Sequence, residues 1–296
     1  MANGKLNADI STSISELRSL LKKFEIRSQI YSLILKGQGL EFYAYGDYTK
    51  DLDASEIYWK ASKRANRLLT RKYQQERNMK TLFVIDVSEN MVSGSTPKLK
   101  CEYTAEVAGA LSSLVISSGD KFGFILFSDK VHEFVPPASG QGQFELFVNG
   151  IMKASAYKGY PDFKNLFWFI LNYVDKSVSS IIIFSDFLGF DSAVKKDFEE
   201  VASQFETMLL MVRDPIDKAL PDVSTEVYFE DSKTGEKLLV NPKIAKEFYR
   251  RYNEKRDLEF NGLCRKLNVD LLELATDKPF VPTLVSFLKQ RVGGTR

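Results

Sequence analysis

The 296-residue sequence predicts an α/β fold: a doubly wound, mostly parallel sheet flanked by helices. Three observations carry this expectation. Short apolar, β-rich runs (Leu82–Ile85, Phe122–Phe127, Ser180–Phe184, Met208–Val212, Val269–Leu274) alternate with segments of helical period. Most of these runs lack polar alternation, so they read as strands buried on both faces. The first runs directly into Asp86-Val87-Ser88-Glu89-Asn90, at the carboxyl end where open α/β sheets keep their ligand crevice.

Composition is compatible with this. A hydrophobic fraction of 44% and 22 Phe supply a substantial core. A net charge of +2 gives no argument for a polyanionic partner. The two cysteines, Cys101 and Cys264, form no CxxC, so neither a disulfide framework nor a zinc site is expected. The amino terminus lacks an apolar leader and no run is long enough to span a bilayer. The expectation is a soluble, cytoplasmic protein.

Taken in order, residues 11–35 open with Ser and Thr ahead of Ile14, Leu17, Leu20, Leu21 and Phe24, the spacing of a capped helix. Lys36-Gly37-Gln38-Gly39-Leu40 breaks it and leads to a strand-like segment at Phe42–Tyr48. No strand–GxxxxGK–helix context surrounds these glycines, so they read as a turn. Residues 58–80 hold eight Lys/Arg against one acid, with Tyr58, Trp59 and Tyr73 interleaved. They read as a solvated basic helix followed by a strand, and as a possible nucleic-acid surface. A composition break near Arg77–Lys80 divides an N-terminal segment, 1–79, from a main domain, 80–296.

Within that domain, Lys98–Ser118 is helical, with Val107, Ala110, Leu111, Leu114 and Val115 on one face. Val131–Val135, stopped by Pro136-Pro137, reads as an antiparallel edge strand. His132, the single histidine, has no Ser, Cys or carboxylate assigned beside it by sequence. Phe144–Ile151, Phe163–Tyr173 and Ala193–Phe205 read as helices. Thr225–Phe229 and Lys237–Val240 flank Lys233-Thr234-Gly235, a hairpin inserted over 223–241. From Pro242 a long helix turns Ile244, Phe248, Tyr252, Phe260, Leu263 and Leu267 inward, and Val281–Leu288 is the closing helix.

Asp86, Ser88 and Asn90 present three hard oxygens without His or Cys, a donor set suited to Mg²⁺ and not to Zn²⁺. The turn resembles the D-x-S-x-S metal-ion-dependent adhesion site of von Willebrand factor A domains, with Asn90 in place of the last Ser. The resemblance extends further. GQGLEF (37–42), YWKASKR (58–64), QERN (75–78), FSDKVHEFVPP (127–137), FSDFLGF (184–190), RDPIDKALPD (213–222), the TGE of the hairpin and DLLELATD (270–277) match, in order, the motifs of the domain of unknown function 58 family. That resemblance implies a von Willebrand A-like protein that is not an enzyme and acts as adaptor or partner of a MoxR-type AAA+ ATPase. It assigns Asp86, Ser88, Asp162 and Asp186 as metal ligands, with Asn90 able to ligate through its amide oxygen and Mg²⁺ as the cofactor; the alternative is a degenerate site, an inherited salt-bridged turn that only supports the fold. Three departures stand out: Asn90 itself, Pro161 where the family has an oxygen-bearing Thr, and Tyr58 and Gly46 in place of an Asp and an Arg.

Two converging carboxylates require an offset: a cation, a shared proton that raises one pKa, or a nearby lysine, for which Lys98 and Lys158 in flanking loops are the candidates. The functional expectation is a protein-interaction module acting through loops 88–97, 128–130, 157–163 and 186–191. The alternatives are nucleic-acid binding through 58–80 and an Asp86-based phosphohydrolase, in which Ser88 stands where a second Asp would serve as general acid.

Overall fold

The computed structural model describes residues 4–23, 42–48, 58–73, 79–220, 225, 227–230 and 237–292. The motifs at 37–41, 75–78 and 221–222, the second half of the predicted 11–35 helix and the hairpin turn 231–236 lie outside them. The chain-order strands are β1 (Phe42–Asp47), β2 (Leu69–Tyr73), β3 (Lys80–Asp86), β4 (Lys121–Phe127), β5 (Val131–Ala138), β6 (Ser180–Ser185), β7 (Glu206–Arg213), β8 (Val227–Glu230), β9 (Lys237–Val240) and β10 (Asp270–Ala275). The helices are α1 (Ile10–Lys23), α2 (Trp59–Ala65), α3 (Lys100–Ser117), α4 (Gln141–Ile151), α5 (Phe163–Tyr173), α6 (Lys195–Gln204), α7 (Pro242–Lys266) and α8 (Phe280–Val292).

Six strands form one sheet in the order β10-β7-β6-β3-β4-β5. All neighbours are parallel except β4 and β5. β3, whose residues 81–86 are all buried, lies inside the sheet because helices cover both its faces. β5 is the antiparallel edge and carries Pro136 and Pro137. It sits so close to β4 that a Cβ on Gly123 would meet Val135 O and Pro137 N at 2.6 Å, so only glycine fits there.

One core layer joins α1, α3, α4 and α8 to the sheet, and the other joins α5, α6 and the second half of α7. The region 1–79 therefore contains two kinds of structure. α1 belongs to the first core layer through Ile10, Leu17 and Leu21, and Asn7 and Asp9 donate backbone N–H groups to Glu102 and Glu106 of α3 at 3.0 and 2.9 Å. Gly109 makes this docking possible: a Cβ there would lie 2.5 Å from Ile10 Cγ2. β1 and β2 instead pair as a separate antiparallel sheet, with α2 beside β2. The basic segment 58–80 is thus split between a short helix, capped by Asn66 at φ 52°, and a strand.

The β8–β9 hairpin forms its own two-stranded sheet, apart from the main one. In α7 the inward assignment of Ile244, Phe248 and Tyr252 is corrected: they are 81, 76 and 59% exposed. Phe260 is buried as expected, Cys264 is buried beside it, and Leu263 and Leu267 pack against the same core layer. The spacing identified an apolar stripe on α7. Burial needs a facing element as well, and in the first half of the helix the buried positions are Pro242 and Asn253, on the opposite side.

Candidate site at the carboxyl edge of the sheet

Parallel pairing of β3 with β6, in register from Thr81↔Ser180 to Ile85↔Phe184, brings Asp86 beside Ser185 and Asp186. All three are fully buried. Asp86 Oδ1 accepts from the Ser88 backbone N–H at 2.9 Å, and Oδ2 accepts from Ser185 Oγ at 2.6 Å. Burial, reinforced by the Asp186 charge, pushes the Asp86 carboxyl up to about 6 despite these hydrogen bonds. Asp186 Oδ1 accepts from the Leu188 N–H at 2.9 Å.

The other Asp186 oxygen is held by a cation. Lys100 Nζ donates to Asp186 Oδ2 at 2.7 Å and lies 3.3 and 3.5 Å from the two oxygens of Asp217. Lys100 is 1% exposed. Burial alone would lower its pKa; the Asp186 and Asp217 charges overcome that and hold the ammonium above its ordinary value. Burial raises the Asp217 carboxyl, with Lys100 working against it.

The lysines expected from sequence are placed elsewhere. Lys98 Nζ is 2.5 Å from Glu106 Oε2, and Lys158, exposed, contributes its backbone N–H to Val87 O at 2.9 Å. Lys100 was missed because it reads as one more charge at a helix start. Its signal is the helix that follows: from Val107 onward α3 is mostly apolar, and the helix is buried on nearly every side, so a first-turn lysine has no route to water.

Of the predicted ligands, Asp86, Ser88 and Asp186 come together. Ser88 Oγ is buried and makes no well-directed hydrogen bond among the described residues. Asn90 lies in the 3₁₀ turn Glu89–Val92 just beyond. Asp162 is exposed and is spent as the N-cap of α5, accepting from the Asn165 N–H at 2.9 Å. The crest loops are stitched together by backbone: Val87 N–H to Phe127 O, Glu89 N–H to Gly159 O and Asp162 N–H to Ser128 O, at 2.8, 2.9 and 2.8 Å.

Ser88 Oγ, buried beside Asp86 without a well-directed hydrogen bond, suits a hard cation. Asp186 suits one less, because it already neutralises an ammonium. A dication within about 5 Å of an ammonium is repelled by roughly 7 kcal/mol at an effective dielectric near 20, about five powers of ten in affinity. Pro161 adds no oxygen. While Lys100 holds Asp186, the residues present do not fit a divalent cation.

The structure also supplies the neighbours that sequence did not assign to His132. Its Nε2 is 2.6 Å from Ser128 Oγ and 3.3 Å from Asp129 Oδ1. Both partners meet the same ring nitrogen, and Ser128 Oγ also donates to Asp129 at 2.9 Å. A base oriented through one nitrogen and acting through the other is therefore not assembled here. Burial lowers the His132 pKa, which keeps the ring neutral near pH 7.

A family model described as "Protein of unknown function DUF58" matches residues 42–258. An uncharacterized protein of Mycobacterium tuberculosis is 23% identical over 269 residues, 88% of this chain and 82% of its own length. Among solved structures, an aerotolerance-related membrane protein from Bacteroides fragilis aligns over 72% of this chain and 100% of its own at 12% identity and a TM-score of 0.46. The SpRpn10 VWA domain aligns over 69% of this chain and 92% of its own at 10% identity and a TM-score of 0.39. The expectation of a cytoplasmic protein is corrected at this point, because a protein named as a membrane protein stands among the structural neighbours. Among the described residues no helix is long and apolar enough to cross a membrane, which assigns no compartment. The six-stranded, mostly parallel sheet between two helical layers is the α/β fold expected from the sequence, and the match over residues 42–258 establishes that the chain belongs to the DUF58 family of proteins of unknown function.

Proposed function

We propose that this protein is a non-catalytic interaction module whose binding face is the crest of loops 88–97, 128–130, 157–163 and 186–191. The observation that supports this most is the stitched edge itself. Buried Asp86 and Asp186 anchor loops that are hydrogen-bonded to one another, while Lys158 and Asp162 stand exposed on the same crest. Such an arrangement fixes a surface without assembling a nucleophile and its base. An Asp86 phosphohydrolase finds little support: both carboxylate oxygens already accept hydrogen bonds and the group has no exposed surface.

The partner we propose is a MoxR-type AAA+ ATPase or its client, on the strength of the family motifs. In this reading Lys100 supplies the charge that a bound metal would otherwise bring, so binding is indifferent to chelators. The test is capture of a purified MoxR-type ATPase by wild type, Lys158→Glu and Asp86→Ala, each with and without EDTA. Wild type should bind equally in both buffers, and Lys158→Glu should weaken binding and raise its salt sensitivity. Equal capture by all three proteins would remove the crest as the binding face.

A further inference from the structure

A second cluster lies at the end of β7, the strand next to β6. Arg213 closes β7 with its side chain 2% exposed. Asn253, Arg256 and Asp257, three and four residues apart, share one face of α7. Arg213 Nη2 donates to Asp257 Oδ1 at 3.1 Å, and Arg256 Nη2 lies 3.8 Å from the same oxygen. Two guanidinium groups therefore share one carboxylate. Arg213 Nε and Nη1, Arg256 Nε and Nη2, and Asn253 Nδ2 are buried and have no hydrogen-bond acceptor among the described residues. Asp217 does not make up the shortfall, because Lys100 and the Asp214 N–H already engage it. Burial, followed by the Arg213 charge, holds Arg256 below its ordinary pKa.

Buried donors without acceptors forfeit the hydrogen bonds that water gave them, and a buried surplus of charge is costlier still. Here the unpaired groups are all N–H, and the two guanidinium groups have one carboxylate, Asp257, in direct contact, with the Asp217 charge acting on Arg213 from further off. Water would accept some of these bonds but bring no charge, whereas an oxyanion supplies both. The Nε–Nη edge of arginine is the two-pronged fork that matches paired oxygens of a carboxylate or phosphate. A cavity of about 220 Å³ opens beside Arg256, lined also by Ser192 and Lys195 and walled by Phe187, Phe190 and Phe260. Asp191 and Glu259 border it as well, which disfavours a polyanion and leaves a small, singly or doubly charged one.

We propose that Arg256, which lines this cavity and is backed by the unpaired donors of Arg213 and Asn253, binds a small oxyanion there, either inorganic phosphate or a carboxylate. The site stands independently of the crest reading. The experiment is thermal unfolding of the full chain at constant ionic strength, titrated with sodium phosphate or sodium acetate against a sodium chloride reference. A saturable rise of about 5 °C in wild type is the expected result, since a ligand held only by the native state stabilises it. The more effective anion identifies the ligand class. Arg256→Met should weaken the response about tenfold or more, and Arg256→Lys, which keeps the charge but not the fork, should recover only part of it. Equilibrium dialysis of wild type with radiolabelled phosphate and acetate decides the matter if Arg256→Met fails to fold; one bound anion per chain supports the site. No binding above the chloride reference, or an undiminished response in a folded Arg256→Met, would overturn it.

Discussion

Replacing Lys100 with methionine keeps the aliphatic stem and removes the ammonium that Asp186 and Asp217 share at 2.7 and 3.3 Å. Three buried or nearly buried carboxylates, those of Asp86, Asp186 and Asp217, would then face one another without a neutralising partner. Removing one member of a buried pair costs about 3–5 kcal/mol, because it strands the other charge in a poor solvent. At roughly 2–4 °C per kcal/mol for a chain of this size, Tm should fall by about 6–20 °C. The assay is urea and thermal unfolding at pH 7.5 in EDTA, repeated in millimolar Mg²⁺. With the ammonium gone, the repulsion that keeps a dication away is gone too, and Mg²⁺ should restore part of the lost stability in Lys100→Met alone. Wild type should not respond. A loss below about 1 kcal/mol in EDTA would refute the counter-ion argument. Equal stabilisation of both proteins by Mg²⁺ would refute the exclusion argument while leaving the pairing intact.

Other consequences are open to direct measurement. Asp86, pushed up to about 6 from an ordinary 3.8, holds its proton more tightly when folded. Its contribution is therefore complete below pH 3.8 and lost as pH rises through about 6. Relative to wild type, Asp86→Asn should gain on the order of 3 kcal/mol between pH 4 and pH 7.5, read by urea unfolding; a pH-independent difference would contradict this. Gly109→Ala pushes a methyl into Ile10 and should cost about 1–3 kcal/mol, with Ile10→Ala in the same chain relieving part of the cost in a double-mutant cycle. Asp162→Ala removes the N-cap of α5 and should cost about 1 kcal/mol by urea unfolding. It should leave Mg²⁺ sensitivity unchanged, since that carboxylate is spent on the Asn165 N–H.

The sheet was legible because its inner strands are buried on both faces, and a run such as Thr81–Ile85 has few other ways to hide its side chains. The antiparallel edge was legible for the opposite reason: Val131–Ala138 mixes polar with apolar residues, is nowhere fully buried and carries prolines. Long-range pairings of charge were not legible. Nothing in the spacing of Lys98, Lys100 and Lys158 tells which ammonium is buried; that depends on α3 being enclosed by the sheet and α1. His132 makes the same point at short range, since Ser128 and Asp129 reach it only because β4 turns back into β5. α7 failed for want of a neighbour: helical period locates an apolar stripe, and exposure is settled by whether another element reaches it. Arg213 opens the motif RDPIDKALPD, but nothing in the sequence joins it to Asn253, Arg256 and Asp257, which lie on a helix forty or more residues further along.

The doubled proline of β5 governs how the sheet ends. An outer strand with free backbone donors invites a strand from another molecule to continue the ladder, which is how sheets aggregate or swap. Pro136 and Pro137 have no N–H to offer, and at Gly123 they lie against β4 too closely for any side chain between them. This end of the β5 border is therefore poor in the donors that would let it grow into a larger sheet.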